Sequence, residues 1–245
     1  MDRLIYLSMS GAKAAMHRQE VLANNLANAT TPGFRAELAA FRSVPVRGDG
    51  ATTRAFTLET TIGHNMQAGP VSPTGNPLDV AMTGNAWLAV TALDGTEAYT
   101  RNGALQLNSE GQLVTSSGLP VAGDGGPITL PLGATVEIAQ DGTISARVGD
   151  ARPQVVGKLK LVTPQTPLKR GDDGLFRAAE GELAADATAR LRSGALEGSN
   201  VSPVEAMVAM IAASRQFEQQ MKMLQQTEQR EQNAARLLGP AAPGV

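Results

Sequence analysis

The stretch SPVEAMVAMIAASRQFEQQMKMLQQT, residues 202–227, decides the fold class because it predicts a long helix with a clear start. Ser202 supplies an N-cap hydroxyl, Pro203 suits the first helical position, and Glu205 completes a capping box. If it continued to Leu238, this helix would be roughly 55 Å long, more than a small β domain can cover. It therefore needs other helices as partners. The side chains at its heptad core positions are Met207, Met210, Phe217, Met221 and Leu224.

The N-terminal end of the chain predicts the partner helix. Apolar residues between Leu4 and Ala29 recur at helical spacing, and they are rich in Ala and Met, which permit close helix approach. Thr31–Phe34 stops the pattern, with Pro32 and Gly33 placed as a type II turn prefers. An ordinary amphipathic helix packed on its own domain is the alternative interpretation. The stripe includes Ile5, Met9, Ala12, Met16, Leu22 and Leu26, and it ends among Asn24, Asn25 and Asn28.

An antiparallel β domain is predicted between the helices. Alternating segments flank the dipeptides Asp94-Gly95 and Asp141-Gly142, which favour hairpins with type I′ turns. The fold class is therefore α+β, with long terminal helices that pair as a coiled-coil-like domain. The predicted division is an N-terminal helix at 1–30, an extended connector at 31–75, the β domain at 76–180, a return connector at 181–200, and a C-terminal helix at 201–245.

The composition excludes several partners. The 245 residues carry a formal net charge of −2, so bulk charge attracts neither nucleic acid nor an anionic membrane surface. The chain has no cysteine and hence no disulfide. The N-terminal apolar run, residues 4–7, is too short for a secretory signal, and no segment has the roughly 18 apolar residues of a membrane helix. We expect no membrane insertion and no cleaved leader.

Residues capable of catalysis are few. His17 and His64 have no Cys or paired carboxylate at metal-ligand spacing, and the glycine-rich segments 123–126 and 171–174 indicate turns rather than phosphate or calcium loops. Carboxylates of the β region could pair across a cleft as in a glycosidase, but an enzyme is the weaker interpretation. We predict no catalytic residue, no metal and no cofactor. The carboxylates concerned are Asp79, Glu97 and Glu137.

Two motifs at opposite ends of the chain carry a family resemblance. Residues 24–35, NNLANATTPGFR, resemble the N-terminal signature of the bacterial flagellar rod and hook proteins, and residues 196–208, LEGSNVSPVEAMV, resemble their C-terminal motif. Residues 78–85 and 98–103 resemble the start of the family's β domain. The length, with one β domain, is similar to that of the mid-sized rod members. Residues 34–46 resemble the proximal-rod member more than the distal-rod member, which is the alternative.

The resemblance implies a structural subunit that polymerises into the axial drive shaft of the basal body, transmits torque and lets exported subunits pass. The implied partners are further copies, other rod proteins and the flagellar type III export apparatus. The implied location is the periplasmic rod, and a secreted binding module or adhesin is a remote alternative. We expect the helix stripes to form the assembly interface and the asparagines to set its register, although packing within one chain would explain the same pattern. The remaining residues assigned to this interface are Pro32, Gly33, Phe34, Asn200, Pro203 and Glu205.

Overall fold

The computed structural model describes residues 2–45, 55–131 and 133–238 of the chain. The chain divides into two compact units. A helical unit comprises Met1–Ala27, Ala36–Asn65 and Val201–Val245, and a β unit comprises Asn28–Arg35 and Met66–Asn200. The chain therefore passes between the units four times. The end of the predicted C-terminal helix, residues 239–245, lies outside the described residues.

The helical unit contains two helices and a long hairpin: α1 (Asp2–Ala27), β1 (Glu37–Pro45), β2 (Ala55–His64) and α2 (Pro203–Leu238). The helices pack along each other, which confirms the predicted α+β class and the pairing of the two chain ends. Glu205 N donates to Ser202 Oγ at 3.4 Å, and Ala206 N donates to Ser202 O at 3.0 Å, so α2 begins at its predicted cap.

The side of α2 that α1 covers includes Met210, Phe217 and Leu224 of the predicted heptad core, but not Met207 and Met221. Met207 and Met221 are exposed, at 51% and 38%. The fully buried positions of the seam are small residues, Ala206 and Ala213, which let the helices approach closely. Gln220 lies against Gly11 of α1. A count of large apolar side chains misses such a seam. The covered heptad row is Ala206, Met210, Ala213, Phe217, Gln220, Leu224 and Thr227.

The stripe of α1 is divided in the same way. Ala12 and Ala15 are buried, and Ile5, Leu22 and Leu26 are partly buried, as expected of a helix that packs against α2 and the hairpin. The two methionines of the predicted stripe, Met9 and Met16, are more than half exposed. Within the chain they are therefore not part of the seam.

The structure divides the predicted connector at 31–75 differently. β1 and β2 pair antiparallel from Glu37↔His64 to Pro45↔Ala55, with a bulge between Leu38 and Ala39. The threonines of β2 suit a strand. The stretch 46–54 between the two strands lies outside the described residues.

The β unit consists of short strands. The largest sheet described has the order β14-β5-β6-β16-β15, and a second has the order β11-β12-β13. The strands are β3 (Val71–Pro73), β4 (Val80–Met82), β5 (Trp87–Thr91), β6 (Glu97–Thr100), β7 (Leu105–Leu107), β8 (Leu113–Thr115), β9 (Ala122–Gly123), β10 (Gly126–Pro127), β11 (Thr135–Ile138), β12 (Thr143–Arg147), β13 (Gln154–Lys158), β14 (Leu161–Val162), β15 (Lys169–Arg170), β16 (Phe176–Arg177), β17 (Leu191–Ser193) and β18 (Ala195–Glu197).

Strand β5 separates two apolar clusters. Leu88 and Val90 face the larger one, while Trp87 and Ala89 face a smaller one with Tyr99. Both faces of the strand are thus buried, which explains why its sequence is continuously apolar. The remaining buried members of the smaller cluster are Val162, Leu168 and Phe176.

Two predictions about the β unit need correction. The stretch 181–200 is not a plain return connector, because β17 pairs with β4 and β18 pairs with β3. The Asp94-Gly95 hairpin forms as predicted, but its turn is not type I′. A type I′ turn requires positive φ at both central residues. Gly95 has φ +79°, but no non-glycine residue among those described has positive φ. The glycine alone takes the left-handed position.

Candidate assembly and clamp sites

Apolar side chains are exposed on the two helices. At the start of α2, Val204, Val208 and Ile211 are exposed by 71%, 63% and 55%, beside Met207. On α1, Met9 and Met16 are exposed together with Tyr6. Exposed apolar side chains grouped in this way on helix faces are typical of protein interaction surfaces. Part of the predicted interface set is thus available to a further chain.

The three predicted asparagines have different environments. Asn25 is buried, and its amide binds the backbone of Glu37: Glu37 N donates to Oδ1 at 2.8 Å, and Nδ2 donates to Glu37 O at 2.9 Å. Asn24 is exposed and its Nδ2 donates to Glu37 Oε2 at 3.3 Å. Asn28 accepts from Thr31 Oγ1 at 3.2 Å. These bonds of Asn25 and Asn28 lie within their own units, and a role of the asparagines in setting register between chains stays a prediction.

The turn at residues 31–34 forms as predicted. Phe34 N donates to Thr31 O at 3.3 Å, and Gly33 has φ +69°. A Cβ added at Gly33 would overlap the backbone of Arg101, so the position needs glycine for space as well as for conformation. Phe34 is buried, with the Arg170 guanidinium 4.6 Å from its ring centroid.

A buried ion cluster joins three distant parts of the β unit. Glu197 Oε1 lies 2.7 Å from Arg35 Nη2, and Glu197 Oε2 lies 2.6 Å from Arg101 Nη2. All three side chains are at most 2% exposed. Arg101 Nε also donates to Glu197 Oε2 at 2.8 Å, and Gly69 N donates to Oε1 at 3.0 Å. The carboxylate is therefore fully enclosed by donors.

The two arginines are not equally satisfied. Arg101 donates to the carbonyl oxygens of Gly84, Ala86 and Met82, and its guanidinium lies 5.9 Å from the Trp87 ring centroid. Burial lowers the pKa of Arg101, while the Glu197 carboxylate acts in the opposite direction by favouring the charged form. Arg35 Nε and Nη1 are buried and have no hydrogen-bond partner among the described residues.

Asn200 holds two segments together beside this cluster. Its backbone N donates to Phe34 O at 3.3 Å, and its Nδ2 donates to Gln67 O at 2.9 Å. Gly33 N donates to Glu197 O at 2.8 Å, which brings the turn at 31–34 onto the C-terminal motif. The ion cluster therefore takes one residue from each of three motifs noted in the sequence, which are residues 24–35, 98–103 and 196–208.

Arg35, Arg101 and Glu197 were not among the predicted site residues. The signal that could have identified them is a charged residue within a motif of mostly uncharged residues, because a charge is rarely buried unless it is paired. Among the residues that the structure describes, no group of three or more His, Cys, Asp or Glu side chains could hold a metal ion. No helix in the described parts of the chain has the length and apolar character to cross a membrane.

Family models match three parts of the chain. The flagella basal body rod protein model matches residues 5–35, the D1 domain model of the flagellar hook protein FlgE/F/G matches residues 81–146, and the flagellar basal body rod FlgEFG protein C-terminal model matches residues 192–237. Arg35, Arg101 and Glu197 each fall in a different one of these regions.

Curated relatives match almost the whole chain, and the chain belongs to the flagellar basal-body rod protein family. Its relatives include the rod protein FlgF of Salmonella typhimurium, 50% identical over 97% of this chain and 99% of the relative, and FlgF of Escherichia coli, 48% identical with the same coverage. The rod protein FlgG of Buchnera aphidicola is 30% identical over 95% of this chain and 98% of the relative. The chain is therefore a FlgF-like structural subunit of the rod.

Proposed function

We propose that the chain is a proximal-rod subunit that polymerises with further copies and other rod proteins into a shaft that transmits torque. The higher identity to FlgF than to FlgG relatives supports the proximal position. The observation that carries the assembly proposal is the exposed apolar stripe of α2, which lies on the side of the helix opposite Ala206 and Ala213, the alanines buried in the seam with α1. In this proposal the stripe packs on helices of neighbouring subunits.

The predicted interface residues take separate roles in this proposal. Met207, Met9 and Met16 contact neighbouring chains, whereas Phe217, Met210 and Leu224 join α1 to α2 within the chain. Methionine suits the first role because its flexible side chain adapts to contacts that are not equivalent along a shaft. The proposal has no catalytic step, and an adhesin receives no support because the described aromatic side chains of the β unit are buried in its core or beneath Arg170.

Ile211→Asp tests the assembly proposal, with Gln219→Asp as the matched control on an exposed polar position of the same helix. A charge buried at a subunit contact costs about 2–5 kcal/mol, and the loss recurs at every copy. We expect isolated basal bodies of the Ile211→Asp strain to lack the subunit and the hook, while the control assembles. Wild-type incorporation of Ile211→Asp would overturn the proposal.

We further propose that the chain passes through the flagellar type III export apparatus and acts in the periplasm. This rests on its family membership. Expression in cells that lack their own FlgF or FlgG tests the assignment, because a proximal subunit restores swimming in the first strain alone. Restoration in the FlgG-deficient strain would favour the distal position, and trapping of the chain in the cytoplasm would contradict export.

A further inference from the structure

The chain enters and leaves the β unit at four positions, and residues at or next to three of them, Arg35, Met66 and Asn200, are bonded to one another. The β unit begins at Asn28 and ends its first segment at Arg35, then resumes at Met66 and ends at Asn200. Along the backbone, a pull on the two chain ends therefore enters the β unit at Asn28 and at Asn200.

Hydrogen bonds connect the segments behind these positions directly. The first segment binds the last one through Gly33 N to Glu197 O and Asn200 N to Phe34 O. The segment after residue 66 binds the last one through Gly198 N to Pro70 O at 2.8 Å and Asn200 Nδ2 to Gln67 O. The Glu197 carboxylate connects all three segments. It pairs with Arg35 of the first segment and with Arg101 at the end of β6, and it accepts a hydrogen bond from Gly69 N of the middle segment.

We propose that the Arg35–Glu197–Arg101 cluster is a mechanical clamp, which carries a load on the chain ends before that load reaches the apolar core. The inference rests on the proposed role as a torque-transmitting subunit. Charge-assisted hydrogen bonds suit this task because they are directional and must break as a unit, whereas apolar contacts can slide.

The unequal satisfaction of the arginines supports a mechanical rather than a thermodynamic role. Two cations share one carboxylate, and Arg35 leaves Nε and Nη1 buried without a partner in the described chain. Buried, incompletely paired charge lowers equilibrium stability. Arg35 nevertheless forms the side-chain link between the first and last segments, which a pull on the two ends of the chain loads directly.

Single-molecule pulling of the full chain from its two ends tests the proposal on Arg35→Met. This change leaves Arg101 and Glu197 as a balanced pair. We expect a Tm of the β unit within about 3 °C of wild type or above it, read from Trp87, the sole tryptophan. At constant force, however, the β unit should unfold at least about tenfold faster, because one charge-assisted bond is missing from the loaded step.

Leu113→Ala is the matched control, because Leu113 is fully buried in the larger core cluster. It should lower the Tm by at least about 5 °C and leave the first rupture of the β unit under force unchanged. If Arg35→Met unfolds under force like wild type, or if Leu113→Ala accelerates that first rupture as much, the load runs through the core and the clamp is refuted.

Glu197→Gln provides a second measurement that keeps the result interpretable. It leaves two buried cations facing a neutral amide, so its unfolding equilibrium constant should rise at least about 100-fold. Adding Arg35→Met should restore part of this loss, because one cation is then removed. Additive effects of the two changes would contradict a shared cluster. None of these measurements requires a rod, so they can fail independently of the proposed function.

Discussion

Asn25 forms a two-bond link to the backbone of Glu37, with Oδ1 accepting from Glu37 N and Nδ2 donating to Glu37 O. The asparagine side chain thereby satisfies the backbone N–H and C=O groups of the first residue of β1, as a neighbouring strand would. The link joins the end of α1 to the start of the hairpin within the helical unit.

Asn25→Ala should loosen this start of β1. The change leaves two backbone groups without their partner, at a cost of about 1–3 kcal/mol. We expect the Glu37 amide to exchange with solvent about 10–100 times faster in hydrogen-exchange measurements. Asn24→Ala is the control, because this exposed side chain donates to the Glu37 carboxylate, and its effect should stay at about 0.5 kcal/mol. Equal acceleration in both variants would contradict the prediction.

Gly33→Ala should destabilise the β unit far more than Gly95→Ala. Both glycines have positive φ, so each substitution carries a conformational cost of about 1 kcal/mol. Gly95 has open space around it, whereas the Cβ at Gly33 meets the Arg101 backbone, which cannot move without disturbing the ion cluster. We expect a loss of about 4 kcal/mol or more at Gly33 in urea unfolding followed by Trp87 fluorescence. Similar losses at both positions would show that the backbone contact is unimportant.

Alkaline pH should destabilise the β unit through Tyr99. Its hydroxyl donates to Glu97 Oε1 at 2.8 Å and accepts from Leu183 N at 2.6 Å. Burial raises the pKa of Tyr99 from the ordinary tyrosine value of about 10 to about 12. Because the folded-state pKa is the higher one, this contribution is complete below pH 10 and is lost as the pH rises from 10 to 12, by up to about 3 kcal/mol.

Tyr99→Phe checks this assignment in unfolding experiments across pH 8–12. The variant loses two hydrogen bonds and should be less stable at pH 8, but its stability should fall less steeply above pH 10. Phenolate absorbance in a Tyr6→Phe background follows Tyr99 alone, since the chain contains two tyrosines. An unchanged slope in Tyr99→Phe would assign the alkaline transition to another group.

Sequence periodicity predicted the elements with strong local signals. The Ser202 cap, the turn at Gly33 and the Asp94-Gly95 hairpin depend on neighbouring residues, so a local pattern specifies them. Met210, Phe217 and Leu224 of the predicted heptad core lie on the row that faces α1, but the sequence did not mark Ala206 and Ala213, because they contribute by being small and are indistinguishable in sequence from surface alanines.

Long-range pairing could not be read from the sequence in the same way. Glu197 and Arg35 lie 2.7 Å apart in the structure but are separated by most of the chain, and no local period relates them. The predicted return connector supplies β18 for the same reason: its partner β3 precedes it by more than one hundred residues. The motifs that contain these charges were recognised in the sequence, but their proximity in the fold was not.

Phe217 and Met221 test which row of α2 packs against α1 within the chain. Phe217 is partly buried on the row that faces α1, whereas Met221 is 38% exposed. Phe217→Asp places a charge in the seam and should weaken the helix pair by about 2–3 kcal/mol. Met221→Asp should leave the pair intact.

Crosslinking reports this difference in the free chain. Because the protein has no cysteine, Gly11→Cys with Gln220→Cys introduces a single thiol pair at a contact between α1 and α2. A short thiol-reactive crosslinker should join the pair in the parent, in Met221→Asp and in the surface control Gln219→Asp. Phe217→Asp should lose most of the product, since separated helices no longer hold the two thiols together. If Met221→Asp loses it equally, Met221 also faces α1, and the assignment of packing rows in α2 is wrong.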